Sequence, residues 1–264
     1  MSEIVIDNIT KIFGEGGAKP FTAIKDVDFH VKDREFISVV GPSGCGKTTL
    51  MRMVAGLETV SRGEIRVAGK PVKGPGPDRA VVFQQFALFP WKTVRENIVF
   101  GMRSKGASKA ERDKAVHHYL TLMKMEGTED KYPHQLSGGM QQRVAIARSY
   151  ATDPGVLLMD EPFGALDAQT RTIMQEELVR VSKDNPRTVM FITHSVEEAV
   201  YLADRVVVMG RNPGHIREVI DVAQTRQAEK WSEEPIDDVM EKSSFTHLRG
   251  QVWRLLREQM GDDM

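Results

Sequence analysis

Gly41-Pro-Ser-Gly-Cys-Gly-Lys-Thr48 fits the spacing G-x-x-x-x-G-K-[ST]. At that spacing glycines let backbone N–H groups converge on phosphate oxygens, while the helix that follows turns its positive end toward the same anion. Lys47 reaches the β and γ phosphates of a nucleoside triphosphate, and the Thr48 hydroxyl is placed to ligate Mg²⁺. A second set of reactive side chains stands at Gly155-Val-Leu-Leu-Met-Asp-Glu-Pro162, where an apolar run ends in two acids. Asp160 suits Mg²⁺ held through water. Glu161 suits a general base, or the residue that orients the attacking water. Together the two motifs predict a nucleoside triphosphatase.

A third element is Gln135-Leu-Ser-Gly-Gly-Met-Gln-Gln-Arg143. Ser137 is a natural N-cap, the two glycines leave backbone N–H groups exposed, and Met140, Val144 and Ala147 continue as one face of a helix. This makes a second anion-binding helix start, although the same string alone also describes a capped surface helix. Cys45, the single cysteine, has two readings: a passive small residue, or a thiol of lowered pKa near Lys47 and the helix start.

These residues need a scaffold, and the apolar pattern supplies one. Strands are expected at 3–13, 25–31, 35–41, 62–69 and 80–84, with a helix from Lys47 to Leu57 ending near Gly56. Residues 88–153 are richer in helix formers and show no convincing strand. Further strands are expected at 155–160, 187–193 and 204–209, with a helix over 168–183. The predicted class is α/β: a P-loop NTPase fold with a mixed, mostly parallel core sheet, an antiparallel β region near the N-terminus and an inserted helical subdomain. The nucleotide-binding core spans 1–87 and 154–222, the inserted subdomain 88–153, and a short tail with an amphipathic helix 223–264.

Composition narrows the function classes. The 264 residues carry 36 Lys and Arg against 37 Asp and Glu, so no global basic field favours nucleic acid. No apolar run reaches the roughly 18 residues of a membrane span, and the N-terminus lacks a secretory signal. The chain is expected in the cytoplasm, any membrane attachment coming through a partner. One cysteine excludes an internal disulfide framework.

Taken together, GPSGCGKTT, LSGGMQQR, VLLMDEP, the Gly164-Ala-Leu-Asp167 turn and Thr193-His194 stand in the order found in the ATP-binding subunit of ABC transporters, which the chain resembles over residues 3–220. The resemblance implies ATP and Mg²⁺ as ligands. It implies nucleotide contacts from Phe13, Gly41, Pro42, Ser43, Gly44, Cys45, Gly46, Lys47, Thr48 and Thr49, with Phe13 stacking on adenine. Ser137, Gly138 and Gly139 join from a second, head-to-tail subunit, most simply an identical copy. Gln141 and Asp167 are also implied at the nucleotide site, the Asp167 turn communicating between the two sites. Glu161, His194 and Gln84 are the implied catalytic residues, and Thr48, Gln84 and Asp160 the implied metal ligands. The partners implied are transmembrane permease subunits, with an extracytoplasmic solute-binding protein acting through them, and no nucleic acid; the location implied is the cytoplasmic face of the cell membrane.

Lys73-Gly-Pro-Gly-Pro-Asp-Arg-Ala-Val-Val-Phe-Gln84, Leu88-Phe-Pro-Trp91 and Arg211-Asn-Pro-Gly-His-Ile216 resemble importers of the nitrate, sulfonate and taurine type. Phe86, Leu88, Phe89 and Trp91 are expected to receive a permease helix, with core packing as the rival reading. The alternative function is a soluble ABC ATPase acting on ribosomes or nucleic acid. The chain has neither the paired cassettes nor the long coiled coils usual in that class.

Overall fold

A computed structural model of the protein describes residues 1–17 and 19–261. The expected core and tail therefore include positions outside the described residues, Ala18 and 262–264. In chain order the elements are β1 (Ile4–Phe13), β2 (Phe21–Val31), β3 (Phe36–Val40), α1 (Lys47–Ala55), β4 (Arg62–Val67), β5 (Lys70–Pro71) and β6 (Arg79–Val82). There follow α2 (Val94–Ile98), α3 (Phe100–Ser104), α4 (Lys109–Leu122), α5 (Gly138–Ala151), β7 (Val156–Asp160), α6 (Ala168–Asp184) and β8 (Thr188–Ile192). The chain closes with α7 (Val196–Leu202), β9 (Arg205–Gly210), β10 (His215–Asp221), α8 (Ala223–Ala228), α9 (Ile236–Glu241) and α10 (Ser243–Gly261). Two compact units divide it: Met1–Gly76 with Arg187–Met264, and Pro77–Pro186.

The first unit holds an antiparallel sheet in the order β2-β1-β4-β5 and a strand set in the order β10-β9-β3-β8. β3 runs parallel to β8 and β9, and β10 pairs antiparallel with β9. Every residue of β3 and β8 is buried, which is why both read as largely apolar runs, broken only by Ser38 and Thr188, rather than alternating ones. α1 starts after Gly46 and ends at Gly56, whose φ is 76° and whose N–H returns to the carbonyls of Arg52 and Met53. A Cβ at position 56 would lie 2.2 Å from the Gly74 carbonyl, so both the conformation and the close approach require glycine there.

Glu35 ties this unit together. Burial alone would raise its pKa, but Arg205 and the Lys32 N–H outweigh that and hold the carboxyl below the usual range. Arg205 grips it with two bonds of 2.6 and 2.8 Å while its guanidinium lies 4.8 Å from the Phe29 ring centre. One arginine thus joins β2, the start of β3 and the start of β9.

The second unit carries the parallel pair β6 and β7, in register from Arg79↔Val156 to Val82↔Met159, and the helices α2 to α6. Thr93 with Glu96 and Ser108 with Glu111 form capping boxes at α2 and α4, satisfying N–H groups that a helix start leaves open. α5 is the central helix, with Val144, Ala145, Ile146, Ala147 and Tyr150 buried.

Four expectations change. β2 begins at Phe21 rather than residue 25, because Phe21 pairs with Phe13 across the sheet. β6 stops at Val82, so Gln84 lies two residues past the strand instead of at its end. β10 was not expected: at the sheet edge, paired with β9 alone among the described residues, it exposes most of its side chains and reads as polar. α7 was also not expected, being two turns long and too short for a periodic signal. Among the described residues no helix is long and apolar enough to cross a membrane.

Candidate functional site

In the first unit the phosphate loop leaves β3 and enters α1 through two left-handed glycines, Gly44 at φ 79° and Gly46 at φ 94°. Only glycine takes that conformation without steric cost. Lys47 is 6% exposed, and its ammonium donates to the carbonyls of Gly41 at 2.8 Å and Pro42 at 3.1 Å. Ser43 and Gly44 are exposed at the loop tip, whereas Thr48 and Thr49 are half-buried at the helix start.

Cys45 is fully buried. Burial pushes its thiol up, and the nearby Lys47 offsets this only in part. Of its two readings the passive one stands, since a thiol reagent needs both thiolate and access. Maleimide treatment of the native protein is expected to leave ATP hydrolysis unchanged while labelling a denatured sample fully. Rapid modification of the native chain, measured by mass spectrometry, would contradict this.

Two more sequence-predicted residues belong to the same unit. Phe13 ends β1, partly exposed, with the Lys11 ammonium 4.8 Å from its ring centre. Its cross-strand neighbour Phe21 is 61% exposed, a second aromatic face that sequence spacing did not single out. His194 is exposed just after β8 in a pinned turn. The buried Glu198 accepts from the Thr193 hydroxyl, and the Thr193 oxygen accepts the Ser195 N–H at 3.0 Å. Glu198 was not anticipated, because a charged residue inside a short helix reads as solvated surface.

The second unit gathers Gln84, Ser137, Gly138, Gly139, Gln141, Asp160, Glu161 and Asp167. β6 and β7 are parallel neighbours, so Gln84 and the pair Asp160–Glu161 emerge at the same carboxyl end. Gln84 Nε2 lies 3.5 Å from Glu161 Oε2. Glu161 has φ 46°, a left-handed conformation that costs a non-glycine residue of order 1–3 kcal/mol and is concentrated at functional sites.

Ser137 caps α5 by accepting the Met140 N–H at 3.3 Å, as its sequence position predicts. Gln141 Nε2 turns back to the Leu136 carbonyl at 3.2 Å. A Cβ at Gly139 would meet Thr170 Cγ2 at 2.5 Å. Thr170 in turn donates its N–H and hydroxyl to Asp167, at 3.0 and 2.7 Å. Those two bonds, the backbone one foremost, hold the Asp167 carboxyl below the usual range. The start of α5 and the Asp167 turn are therefore in contact through one threonine.

Two functional candidates escaped the sequence. Arg148, three turns along α5, donates to the carbonyls of Ala87 at 2.8 Å and Phe86 at 3.3 Å and lies 5.6 Å from the Phe89 ring centre. Asn97 is completely buried: its amide nitrogen donates to Phe89, Lys92 and Thr93 carbonyls, and its oxygen accepts the Phe89 N–H. Together they fix the segment after Gln84. Phe86, Leu88 and Phe89 are half-buried on it, while Trp91 stands 70% exposed. Core packing does not account for Trp91.

A family model described as ABC transporter matches residues 24–164. A protein described as an uncharacterized ABC transporter ATP-binding protein of Methanocaldococcus jannaschii is 46% identical over 98% of this chain and 92% of its own length. The chain belongs to the ABC transporter family. The cassette is 42% identical to the bicarbonate transport ATP-binding protein CmpC of Synechococcus elongatus, and 40% identical to the nitrate import ATP-binding protein NrtC of the same organism. Each match covers 97% of this chain and 38% of the relative. Among solved structures, a dimeric ATP-binding cassette in a post-hydrolysis state with ADP and Pi aligns with TM-score 0.72 at 29% identity, over 83% of this chain and 98% of that one. The cbiO1 protein of Clostridium perfringens, part of the transporter complex cbiONQ, aligns with TM-score 0.74 at 26% identity, over 86% and 91%. The fold is thus that of the P-loop ABC ATPases, and ATP is the nucleotide that the family binds and hydrolyses.

Proposed function

We propose that this cassette hydrolyses ATP to drive import of a small anion through separate permease subunits, working as a head-to-tail pair of identical copies. The observation that carries the reading is the start of α5, where Ser137 caps a helix that opens with two glycines. Such a start offers unsatisfied N–H donors and a favourable dipole to an anion, so the γ-phosphate on one copy can bridge to the other. Similarity to a bicarbonate and a nitrate transport subunit supports the anion class. Nitrate, sulfonates and bicarbonate fit it, as does taurine through its anionic sulfonate group although the molecule is a zwitterion, and selection among them falls to the permease and the solute-binding protein.

In this reading Phe13 stacks on adenine, the loop from Gly41 to Thr49 cradles the phosphates, Glu161 activates water, and Gln84 and His194 orient it. Thr48, Gln84 and Asp160 offer a hydroxyl, an amide oxygen and a carboxylate, the hard oxygen donors that Mg²⁺ prefers. When bound, Mg²⁺ neutralises charge on the β and γ phosphates. Residues 1–87 and 154–222 serve as the nucleotide core, 88–153 as the helical subdomain, and 223–264 as the tail. The cassette sits on the cytoplasmic face of the membrane, and the segment around Trp91 receives the permease.

Copurification tests this. Detergent extraction of the native membrane should bring a multi-span permease down with the cassette, and Trp91→Glu should release it while the soluble variant keeps its thermal midpoint and basal ATP hydrolysis. Retention of the permease by Trp91→Glu, or its loss only together with the fold, would sink the docking assignment.

A further inference from the structure

The turn between β9 and β10 packs against the phosphate loop. Gly214 donates its N–H to the Ala23 carbonyl at 3.0 Å, and Lys25 donates to the Gly214 carbonyl at 2.9 Å. These bonds make a single parallel bridge between Gly214 and Ile24 of β2. Gly214 also abuts the loop itself: a Cβ there would lie 2.2 Å from the Cys45 carbonyl oxygen and 2.8 Å from that of Ala23. Both are backbone atoms, which cannot swing aside as the end of a side chain can.

Two glycines of the loop are also closed in, less tightly. A Cβ at Gly46 would meet Ile24 Cγ1 at 2.8 Å, and one at Gly41 would meet Cys45 Sγ at 2.7 Å and the Met209 carbonyl at 2.8 Å. Ile24 therefore touches the turn by its backbone and the loop by its side chain. β2, the end of β9 and the β9–β10 turn form one continuous seat for Gly41 to Gly46.

We propose that Gly214 is a positioning residue for nucleotide binding: the β9–β10 turn buttresses the phosphate loop, and the missing side chain at 214 lets Cys45 and Gly46 take the backbone path that ATP requires. The inference rests on the loop being the ATP site. Relieving a 2.2 Å contact moves one backbone segment by roughly 1 Å, more than the useful width of a hydrogen bond to phosphate. The loss then falls on binding, which the loop supplies, more than on turnover of bound ATP, which depends on Glu161, Gln84 and His194.

The test compares ATP hydrolysis by the full-length wild type and by Gly214→Ala. The ATP concentration for half-maximal rate should rise by about tenfold or more, with the saturated rate within about threefold of wild type. Gly250→Ala in α10 is the control: its Cβ would meet nothing within 4 Å, so its half-saturating concentration should stay at the wild-type value.

An unchanged half-saturating concentration in folded Gly214→Ala overturns the proposal, as does a fall in saturated rate alone. If Gly214→Ala does not fold, hydrogen exchange of wild-type peptides covering 22–26 and 211–216 decides: ATP with EDTA should slow both, because coupling between the turn and the site is reciprocal. Equal exchange with and without ATP overturns it. A wild type that binds no ATP overturns the loop assignment as well, whereas normal ATP binding by Gly214→Ala overturns the buttress alone.

Discussion

Glu161→Gln is expected to lower steady-state ATP hydrolysis by about 10²- to 10⁴-fold, the range a positioned general base contributes, while ATP still binds. Glutamine matches glutamate in size and keeps an oxygen facing Gln84, so the left-handed backbone at 161 and the turn to Gly164 are undisturbed. What the amide lacks is a basic oxygen to take the proton from water. Phosphate release and fluorescent-nucleotide binding, measured on one preparation, separate the two steps. A variant that hydrolyses ATP at the wild-type rate would remove Glu161 from the base role, and one that no longer binds ATP would show that the substitution disturbs the site itself.

The second large effect is at the other end of the nucleotide. Lys47→Ala should weaken ATP binding by roughly 10²-fold or more, since hydrogen bonds from a charged donor contribute about 1.5–3 kcal/mol each. The ammonium bonds to two neutral carbonyls of its own loop from a position almost shielded from water. Anionic phosphate oxygens are stronger acceptors than those carbonyls, so ATP binding exchanges weaker bonds for stronger ones. Arginine should not restore affinity, because a planar guanidinium does not fit where a compact ammonium is cradled. Titration with ATP under EDTA reads the change directly. Wild-type affinity in folded Lys47→Ala would contradict the role.

The phosphate loop was legible in the sequence because its chemistry is local: eight consecutive residues fix the turn, the helix start and the cation. β3, β7 and β8 were legible because burial on both faces leaves mostly apolar runs, as in 156–159. The Ser137 cap was readable from its position before two glycines and a helical face. β10 was hidden by its exposed edge position, which admits His215, Arg217 and Glu218.

The remaining features depend on which distant segments meet. Arg148 looks like any arginine on a helix until the carbonyls of Phe86 and Ala87 fold onto it. Asn97 follows an ordinary capping box, and only burial reveals that its four hydrogen bonds shape the segment before it. Gly214 reads as a turn residue, and the constraint on it lies in the Cys45 carbonyl. Cys45 could be judged only once its burial was known. These are tertiary facts, and no local pattern encodes them.

The central claim is that ATP joins two copies of this chain through the phosphate loop of one and the α5 start of the other. Light scattering on Glu161→Gln tests it most directly, because ATP stays uncleaved long enough to measure. The account predicts twice the monomer mass in ATP and the monomer mass in ADP, with Ser137→Arg abolishing the doubling. The same mass in ATP and ADP, in a variant shown to bind both, would contradict it.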